Sequence, residues 1–512
     1  MSKYKKVAVV ASAQLGLARA PAGVAFLAGV CEHLAIDYKI WDLNIELLNR
    51  CGQDVWDRCN EYTYNDLDLL PADLMSPVSK LLDDVVSEIK TAGCDCVAVT
   101  VFSYVQMQWT EWFLRRCQQQ LPGVTTIIGG PGVGSVYQLR HTEKTFGAWA
   151  AEQGIVNYYA LGEGDEVFPR FLQGETDMLG LNQAGQSDTW QPQIDDMDAQ
   201  IRPSYRQVNF GSYKSPRNQP VITLNGSRGC VRKCTFCDVG AQWKKFRYRS
   251  GASLAQEIKK HYEDTGVTEY WFSDSLINGS IKQFYELLET LKQYNLTNLN
   301  FSGQFIIRPQ QSHREHMFQL MAETGFRHVA VGVESGSERV RDHMGKKFSN
   351  EDIDYHLVMC ERYGITNYML TIVGYPTETE EDFQATLDMY RRYQRYTINN
   401  TILGINLKYT MTILPNTPIS TMQQELEVEW IHGEGHQMEW RAASNPKLTV
   451  KRRYERWIEL LKLVHELRYN LSEEVLIDIA TNQRKALSVR DSAIIQDTMS
   501  IIPIQAPSAL LS

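Results

Sequence analysis

Short apolar runs alternate with amphipathic helical stretches through the first third of the chain. The first run, VAVVAS at residues 7–12, is followed by a helical stretch over residues 21–34. Further apolar runs lie at residues 38–43, 96–102, 125–130 and 158–164, and a second clear helical stretch covers 76–92. Strands that alternate with helices in this way build a parallel sheet with helices on both faces. We therefore predict an N-terminal doubly wound α/β domain over residues 1–174.

A second alternating series follows a polar stretch with scattered Gly and Pro, which we interpret as an ordered linker over residues 175–215. The predicted strands of this series lie at residues 220–225, 269–274, 298–307, 328–334, 367–374 and 402–410. Six strand and helix units predict a partial (βα)6 barrel of the TIM type over residues 216–420. Beyond about residue 420 we expect no further strands. The amphipathic stretch at 455–471 predicts a helical C-terminal region over residues 421–512.

Composition and charge narrow the classes of function. Hydrophobic residues make up 43% and charged residues 22% of the 512 residues, which is typical of folded globular proteins. No apolar run is long enough to span a membrane, and the N-terminal residues have the pattern of a first strand rather than a signal peptide. We therefore expect a cytoplasmic protein with no membrane contact. The net charge of −9 disfavours a general nucleic-acid binder.

One basic cluster departs from this acidic average and consists of Lys244, Lys245, Arg247 and Arg249. A basic run this short is usually a solvated surface or a contact for a phosphate or a carboxylate. We expect it to lie at the surface.

Three of the ten cysteines stand close together, at Cys230, Cys234 and Cys237. They follow the first predicted barrel strand, so they lie on a loop at the end of the barrel where active sites form. Three thiolates with this spacing can bind three irons of a [4Fe–4S] cluster and leave the fourth iron open. A zinc site is the alternative, although zinc usually requires a fourth Cys or His ligand. A non-catalytic iron–sulfur protein would likewise be expected to supply four protein ligands.

The remaining cysteines are too sparse for a disulfide framework, and we expect them to be core or surface residues. They are Cys31, Cys51, Cys59, Cys94, Cys96, Cys117 and Cys360.

The segment GSRGCVRKCTFCDVG resembles the signature of the radical S-adenosylmethionine superfamily, including the aromatic Phe236 before the last cysteine. The resemblance implies that the open iron binds S-adenosylmethionine and that one electron cleaves it to methionine and a 5′-deoxyadenosyl radical. It also implies that Phe236 lies near the adenine. Gly226 and Gly229 fit a loop whose backbone approaches a cofactor closely.

The resemblance extends along the barrel and implies further contacts with S-adenosylmethionine. In VGVESGSERV the polar residue at the end of the fourth strand is Glu334, which could instead cap the following helix. Ser273 and Asp274 end the second strand, where the family places acceptors for the amino group. Arg308 could reach the carboxylate, or could equally form a structural salt bridge.

The segment IVGYPTETEEDF resembles the fifth strand of the family and its turn, where Gly374 and Pro376 would shape the backbone beside the adenine. Thr377 and Glu380 in the same segment also have the spacing of an ordinary capping box.

The order of an open α/β domain followed by such a barrel, with IIGGPGVG at residues 127–134, resembles the cobalamin-binding subgroup of the superfamily. The resemblance implies a Rossmann-like domain of the cobalamin-binding type. Its strand-end loops at Ser103, Gly129, Gly130 and Pro131 would receive the nucleotide tail. No D-x-H-x-x-G motif stands in this domain; the nearest match, at residues 354–356, lies in the barrel and lacks the glycine.

The resemblance implies an enzyme that uses a [4Fe–4S] cluster, S-adenosylmethionine and cobalamin, and methylation of an unactivated carbon is the leading reaction. Radical cyclisation or rearrangement without net methyl transfer is the alternative, and a tRNA-modifying enzyme is a further one. The expected partners are a small-molecule or peptide substrate and an electron donor such as flavodoxin or ferredoxin. Nucleic acid is not expected as a partner.

Overall fold

The structure, a computed structural model, describes residues 2–13, 16–61, 70–213, 215, 219–310, 314–407, 410–414, 416–422, 425–431 and 439–471. The chain divides into two compact units: residues 1–224 with 256–271, and residues 225–255 with 272–512. Among the described residues, no helix is both long and apolar enough to cross a membrane.

Strands and helices alternate as far as residue 182, as the sequence predicts. The strands are β1 Lys6–Ala11, β2 Asp37–Asp42, β3 Cys96–Thr100, β4 Thr125–Gly129, β5 Tyr158–Ala160 and β6 Leu181–Asn182. The helices are α1 Ala22–His33, α2 Leu43–Cys51, α3 Gln53–Glu61, α4 Ala72–Thr91, α5 Met107–Gln120, α6 Phe146–Glu152 and α7 Gly164–Leu172.

These strands form one six-stranded sheet in the order β2-β1-β3-β4-β5-β6. The first five run parallel, and β6 adds an antiparallel edge strand that the sequence did not predict. Successive residues of β1 belong to separate cores, with Ala8 and Val10 in one and Val7 and Val9 in the other. Both faces of the sheet are therefore covered, which confirms the doubly wound fold. The next strand along the chain, β2, lies on one side of β1, and β3 lies on the other side. The strand order therefore reverses between β1 and β3, which is the topological switch point of the sheet.

The segment after this sheet is fastened to α1. The backbone N–H of Ser204 donates to the Ala25 carbonyl at 2.8 Å, and its hydroxyl donates to Glu32 at 2.6 Å. A Cβ atom on Gly29 would lie only 2.1 Å from the Arg202 carbonyl oxygen, so only glycine permits this approach. The four-part division of the chain at residues 174, 215 and 420 stays a prediction.

The second large sheet uses the six strands of the predicted barrel, and short strands and helices lie between them. The strands in chain order are β7 Val221–Leu224, β8 Ser227–Arg228, β9 Arg247–Tyr248, β10 Glu269–Phe272, β11 Asn300–Phe305, β12 Phe326–Glu334, β13 Thr366–Thr371 and β14 Ile402–Asn406. The helices are α8 Val239–Gln242, α9 Gly251–Thr265, α10 Ile281–Tyr294, α11 Glu315–Thr324, α12 Glu338–His343, α13 Asn350–Tyr363, α14 Glu380–Tyr393 and α15 Arg395–Ile398.

The sheet order is β14-β13-β12-β11-β10-β7, and its pairs from β11 to β14 run parallel. Sequential order with a helix between strands is the arrangement of a partial barrel, as predicted. The last predicted strand extends to residue 410, of which residues 408 and 409 lie outside the described residues. The short strands β8 and β9 form a separate antiparallel ladder, which the sequence did not predict.

The C-terminal part is mainly helical but includes a hairpin, so the expectation that strands stop at about residue 420 is wrong. The elements are α16 Pro418–Thr421, β15 Val428–Trp430, β16 Trp440–Ala442 and α17 Val450–Glu466. The hairpin forms because Trp440 is buried in a core with Met411 and Ile413, and no long-range packing of this kind is visible as a local pattern. The chain after α17 pairs with the edge of β14, where the N–H of Ile405 donates to the Asn470 carbonyl at 2.8 Å. Residues 472–512 of the predicted helical C-terminal region lie outside the described residues.

Candidate functional site

The three clustered cysteines lie on the loop between β8 and α8, and we call residues 229–238 the cluster loop. All three thiols are free and half-buried. The loop begins at Gly229, whose φ of +86° favours glycine. A Cβ atom there would lie 2.6 Å from the Lys245 carbonyl oxygen. The backbone after β8 therefore turns sharply into the cysteine segment.

Thr235, in the middle of the cluster loop, is held from three sides. Its N–H donates to the Met344 carbonyl at 3.1 Å, and its carbonyl accepts from the N–H of Ile419 at 2.8 Å. Its hydroxyl bonds the Tyr375 hydroxyl at 2.8 Å. Three separate segments thus fix the backbone between the second and third cysteines.

Asp274 fixes the approach to the loop from the end of the second barrel strand. Its buried carboxylate accepts from the N–H of Gly226 at 3.0 Å and from the hydroxyl of Ser227 at 2.6 Å. Burial raises the pKa of Asp274 to about 6. Both carboxylate oxygens accept hydrogen bonds from the segment that leads into the cluster loop, so the contacts in the structure give Asp274 a positioning role. The predicted contact with S-adenosylmethionine stays a prediction, as does that of its neighbour Ser273, which is exposed.

Nearby positive charges partly counteract the effect of burial on the pKa of the three thiols. Burial raises the pKa of Cys230, Cys234 and Cys237, and the thiols also raise one another's pKa values through charge repulsion. Lys346 opposes this rise at all three thiols. The N–H of Arg232 additionally donates to the Cys230 sulfur at 3.3 Å. Burial remains the larger effect, so the pKa of each thiol stays above its ordinary value, and the nearby cations lessen the cost of forming the thiolates that bind iron.

Lys346 is itself largely removed from water, with 12% of its side chain exposed, and it forms an ion pair with Glu334 at 2.7 Å. Burial opposes its charge, but Glu334 and the thiols together hold the pKa of Lys346 above its ordinary value. Lys346 also donates to the Gly332 carbonyl at 3.1 Å and lies 5.5 Å from the centre of the Phe236 ring. Sequence reasoning missed Lys346, because its twelve-residue separation from Glu334 matches no motif.

Glu334 ends β12 with φ of +67°, a conformation that non-glycine residues seldom adopt. Such a residue costs about 1–3 kcal/mol and is concentrated at functional sites. The alternative role as a helix cap does not hold, because Ser337 caps α12 through its hydroxyl. The contact of Glu334 with S-adenosylmethionine stays a prediction.

Arg308 lies near the cluster loop and bonds backbone rather than a carboxylate. It donates to the carbonyls of Asn278 at 3.1 Å and Gly279 at 2.7 Å. Burial and the charge of Arg232 lower the pKa of Arg308. Among the described residues its buried Nε has no hydrogen-bond partner. A carboxylate ligand would satisfy this group, as predicted for the methionine end of S-adenosylmethionine.

The turn after β13 is covered by the C-terminal region. Gly374 has φ of +83°, and a Cβ atom there would lie 2.7 Å from the side chain of Arg453. The Pro376 carbonyl accepts from Asn445 at 3.1 Å. The predicted capping box at Thr377 and Glu380 is wrong: the structure forms the box two residues later, at Thr379 and Asp382. The adenine contacts of Gly374 and Pro376 stay predictions.

The carboxyl edge of the first sheet presents an open shelf, which we define as Phe102, Ser103, Tyr104, Gly130 and Pro131. Phe102 and Tyr104 are 65% and 55% exposed. Gly130 has φ of +111°, and a Cβ atom there would lie 2.5 Å from the Val101 carbonyl oxygen. The two strand-end loops therefore touch through backbone, as a glycine-rich turn permits. Gly129 ends β4 beside them.

Gln106 ties this shelf to the end of β1. Its side chain donates to the Ser12 carbonyl at 2.7 Å and accepts from the N–H of Phe102 at 2.6 Å. The tie lies at the switch point between β1 and β3, where doubly wound sheets bind ligands.

The D-x-H near match belongs to the barrel core. His356 is buried and bonds Asn367 at 2.8 Å, and burial lowers its pKa to about 4. Cys360 lies 3.5 Å from the same ring, and burial raises its pKa to about 12. Neither group is placed to react with a ligand.

The basic cluster is only half at the surface, which corrects the expectation. Arg247 and Arg249 are buried, and the Arg247 guanidinium lies 5.4 Å from the centre of the Trp243 ring. Lys244 and Lys245 are exposed. Among the described residues, no group of three or more His, Cys, Asp and Glu side chains has the arrangement of a single metal-ion site.

Comparison with known proteins assigns the class. Residues 224–390 match the model of the Radical SAM superfamily, and this stretch contains the cluster loop and the strands around it. The chain therefore contains a Radical SAM domain, and its similarity to radical S-adenosylmethionine methyltransferases indicates an enzyme of this class.

Two relatives by sequence are methyltransferases. The chain is 25% identical over 407 residues to the cytidylyl-2-hydroxyethylphosphonate methyltransferase of Streptomyces wedmorensis, covering 72% of each chain. It is 23% identical over 363 residues to an uncharacterized methyltransferase of Pyrococcus horikoshii, covering 65% of this chain and 76% of that one. A tRNA-2-methylthio-N6-dimethylallyladenosine synthase of Bacillus thuringiensis is 26% identical over 220 residues, 40% of each chain.

Two solved structures share the fold. The radical S-adenosylmethionine methyltransferase TsrM from Kitasatospora setae, with cobalamin and a [4Fe–4S] cluster bound, aligns with a TM-score of 0.61 at 14% identity. The alignment covers 98% of this chain and 100% of that one. The cobalamin-dependent radical enzyme OxsB, with aqua-cobalamin and S-adenosylmethionine bound, aligns with a TM-score of 0.63 at 13% identity, covering 97% of this chain and 70% of that one.

Proposed function

We propose that the protein is a cobalamin-dependent radical S-adenosylmethionine methyltransferase that methylates an unactivated carbon of a small molecule or peptide. The observation that carries the proposal is the length of the similarity to the phosphonate methyltransferase, 407 residues. This is far longer than the radical domain at residues 224–390. The similarity therefore includes residues outside the part that all superfamily members share.

The cluster loop fits a [4Fe–4S] cluster because it offers three half-buried thiols with cations beside them. Cys230, Cys234 and Cys237 would each bind a different iron. When bound, this cluster supplies the electron that cleaves S-adenosylmethionine. Lys346 reduces the charge repulsion among the thiolates, and Thr235 and Asp274 hold the backbone that sets their positions.

The residues assigned to S-adenosylmethionine have chemistry that suits its parts. Arg308 offers an unsatisfied N–H to the carboxylate, and the carboxylate of Glu334 suits a cationic sulfonium or amino group. Phe236 offers a flat apolar face to the adenine. Ser273, Gly374 and Pro376 complete the assigned set.

The shelf on the first sheet fits a corrinoid. Two exposed aromatic rings beside a turn that only glycine permits leave room for a large flat ligand to approach the backbone. Ser103, Gly129, Gly130 and Pro131 would contact its nucleotide tail. When bound, cobalamin carries the methyl group between S-adenosylmethionine and the substrate. His356 is buried in the barrel, so we assign no histidine of the D-x-H near match to cobalt.

The proposal also includes a one-electron donor such as flavodoxin or ferredoxin and a cytoplasmic setting. It includes a cobalamin-binding domain at residues 1–174, a linker at 175–215, the radical core at 216–420 and a C-terminal region at 421–512.

The test is anaerobic reconstitution with iron, sulfide and hydroxocobalamin, followed by desalting, metal analysis and an absorption spectrum. The loaded protein is then given reductant and S-adenosylmethionine with a deuterated methyl group, together with candidate acceptors. We expect bound iron and corrinoid, 5′-deoxyadenosine, S-adenosylhomocysteine and a product that contains the labelled methyl group.

Cys234→Ala should remove both 5′-deoxyadenosine and the methylated product. Cys51→Ala is the matched control, because Cys51 is also half-buried and free but lies outside the cluster loop. Zinc in place of iron, or iron without corrinoid, would contradict the proposal.

Radical cyclisation or rearrangement without net methyl transfer is the second candidate, because the fold matches OxsB, described as a cobalamin-dependent radical enzyme, as closely as it matches the methyltransferase TsrM. The same experiment separates the two reactions. Rearrangement gives 5′-deoxyadenosine without S-adenosylhomocysteine and leaves the labelled methyl group in the methionine that the cleavage releases.

A further inference from the structure

Tyr375 is a buried residue to which the proposed reaction gives no role. It stands between Gly374 and Pro376, the two residues assigned to the adenine of S-adenosylmethionine. Its ring is fully buried, in the core that also contains Trp440, and its hydroxyl bonds the hydroxyl of Thr235 at 2.8 Å. The residue therefore belongs to the turn after β13 and also contacts the loop that carries the three cysteines.

The directions of the hydrogen bonds at Tyr375 follow from its single hydroxyl proton. The hydroxyl donates to the His343 carbonyl at 3.1 Å, so the Thr235 hydroxyl must donate in the contact between the two side chains. Burial raises the pKa of Tyr375, and the charge of the Cys234 thiol also raises it, so the hydroxyl keeps its proton. The result is a chain of two hydrogen bonds from Thr235 through Tyr375 to His343.

This chain ends at the C-terminal end of α12, where the cluster loop also makes backbone contacts. The last carbonyls of a helix have no partner within it. The His343 carbonyl accepts from the tyrosine hydroxyl, and the Met344 carbonyl accepts from the N–H of Thr235 at 3.1 Å. Gly345 has φ of +79°, and a Cβ atom there would lie 3.0 Å from the Lys233 carbonyl oxygen. The cluster loop therefore lies directly against the end of α12.

The position of Thr235 affects two of the ligand cysteines, because Thr235 lies between them. The N–H of Cys237 donates to the Cys234 carbonyl at 3.2 Å, and Phe236 packs against the core that contains Tyr375. The reduction potential of an iron–sulfur cluster depends on hydrogen bonds to its sulfurs and on its exposure to water. A contact that holds Thr235 in place therefore affects how far water can approach the cluster.

We propose that Tyr375 is a positioning residue for the cluster. Its hydroxyl holds Thr235, and with it the backbone between Cys234 and Cys237, against the end of α12. The inference rests on the proposed function, because it concerns the same cluster. Tyr375 acts through Thr235 and takes no part in making or breaking bonds.

A set of variants separates the contact between the hydroxyls from the packing of the same side chains. Tyr375→Phe and Thr235→Val each remove one hydroxyl and keep the shape of the side chain. Thr235→Ser keeps the hydroxyl and removes a methyl group. Tyr469→Phe is the matched control, because Tyr469 is also buried and its hydroxyl donates to a backbone carbonyl, that of Tyr390, at 2.7 Å.

The first measurement is amide hydrogen exchange, followed by mass spectrometry, on the full-length proteins without a cluster. The rate of exchange reports local opening of the cluster loop. We expect the amides of Thr235 and Cys237 to exchange about fivefold faster in Tyr375→Phe and in Thr235→Val, because one hydrogen bond is lost. Thr235→Ser and Tyr469→Phe should exchange at close to the wild-type rate.

The second measurement is the reduction potential of the reconstituted cluster, from a redox titration followed by electron paramagnetic resonance. Tyr375→Phe and Thr235→Val should each make the potential less negative, because the reduced cluster carries one more negative charge and water stabilises it. The double variant should shift the potential no further than either single variant, since all three lose the same contact. Thr235→Ser should restore the wild-type potential.

Wild-type exchange rates in Tyr375→Phe and Thr235→Val would overturn the proposal, as would an unchanged potential in both variants. An effect of Thr235→Ser as large as that of Thr235→Val would also overturn it, because packing rather than the hydroxyl would then hold the loop. So would additive shifts in the double variant. A wild type that binds no cluster would instead contradict the proposed function, and the exchange rates would still show whether the hydroxyl holds the loop.

Discussion

Lys346 shows how a single residue can govern a site without belonging to its motif. Its ammonium group pairs with Glu334 and opposes the rise in pKa at all three ligand cysteines. The cysteines could be predicted from their spacing, because cluster ligation requires that spacing. Lys346 could not, because only the turn after α12 brings it back to β12.

Lys346→Met should lower the free energy of unfolding by about 3–5 kcal/mol, because it leaves the Glu334 carboxylate buried without its partner. The double variant Glu334→Gln/Lys346→Met should recover most of this loss, since neither charge then remains. Urea unfolding of the three proteins measures the effect. A double variant as unstable as the single one would contradict this account of the pair.

Asp274 predicts a pH dependence. Its folded pKa of about 6 lies above the value of about 3.9 in an unfolded chain. The folded protein therefore holds the proton more tightly, and this contribution is complete below about pH 4 and lost as the pH rises through about 6. The loss amounts to at most about 3 kcal/mol.

The measurement is the difference in unfolding free energy between the wild type and Asp274→Asn across this interval. The wild type should lose stability relative to the variant as the pH rises, since Asn does not titrate. A difference that stays constant, or grows in the opposite direction, would show that the carboxyl is charged throughout.

The elements that the sequence predicts best are those with their own periodicity. The barrel strand β12 begins two residues before its predicted start, and α1 agrees with its predicted bounds to within one residue at each end. The missed strands β6, β8, β9, β15 and β16 are two or three residues long. Segments so short carry no period of their own, so long-range packing decides their conformation.

The hairpin of β15 and β16 depends on Trp440. Its ring lies 3.8 Å from the Arg453 guanidinium of α17, and its N–H donates to the Met411 carbonyl at 3.2 Å. Burial lowers the pKa of Arg453 to about 10, so this contact is well shielded from water.

Trp440→Ala should destabilise the protein by about 3–5 kcal/mol, because it leaves a large cavity in the core. Trp190→Ala is the control, since Trp190 is mostly exposed and should cost much less. Denaturant midpoints with unchanged slopes give the comparison. A smaller effect at Trp440 than at Trp190 would mean that the hairpin is not part of the folded core.

At the scale of the whole molecule, both sheets and the cluster loop could be predicted from the sequence, but the surfaces around them could not. The shelf and the cluster loop belong to different compact units. The apolar periodicity of each segment and the order of strands and helices along the chain can both be seen in the sequence, and together they predict the fold. Which exposed side chains meet at a surface depends on turns such as Gly130 and Gly229, whose backbone contacts no pattern records.

Because the shelf and the cluster loop lie in separate units, we predict that the protein can lose one of the two cofactors and keep the other. The triple variant of Cys230, Cys234 and Cys237 to Ala should lose bound iron and keep the corrinoid after desalting. Gly130→Ala should do the reverse, because a Cβ atom cannot fit against Val101. Iron analysis and the absorption spectrum report the two ligands independently. Loss of both cofactors in either variant would show that the two sites depend on each other.

The close approach of the 201–205 segment to α1 predicts where a protease can cleave the native chain. Ser204 is bonded to Ala25 and Glu32, so trypsin should not reach the peptide bond after Arg206 in the native protein. Gly29→Ala would push the segment away from the helix. Limited digestion followed by mass spectrometry should then show early cleavage after Arg206 in the variant and not in the wild type. The stretch that joins the two sheets would thus be a protease-resistant strap, opened by the addition of a single methyl group.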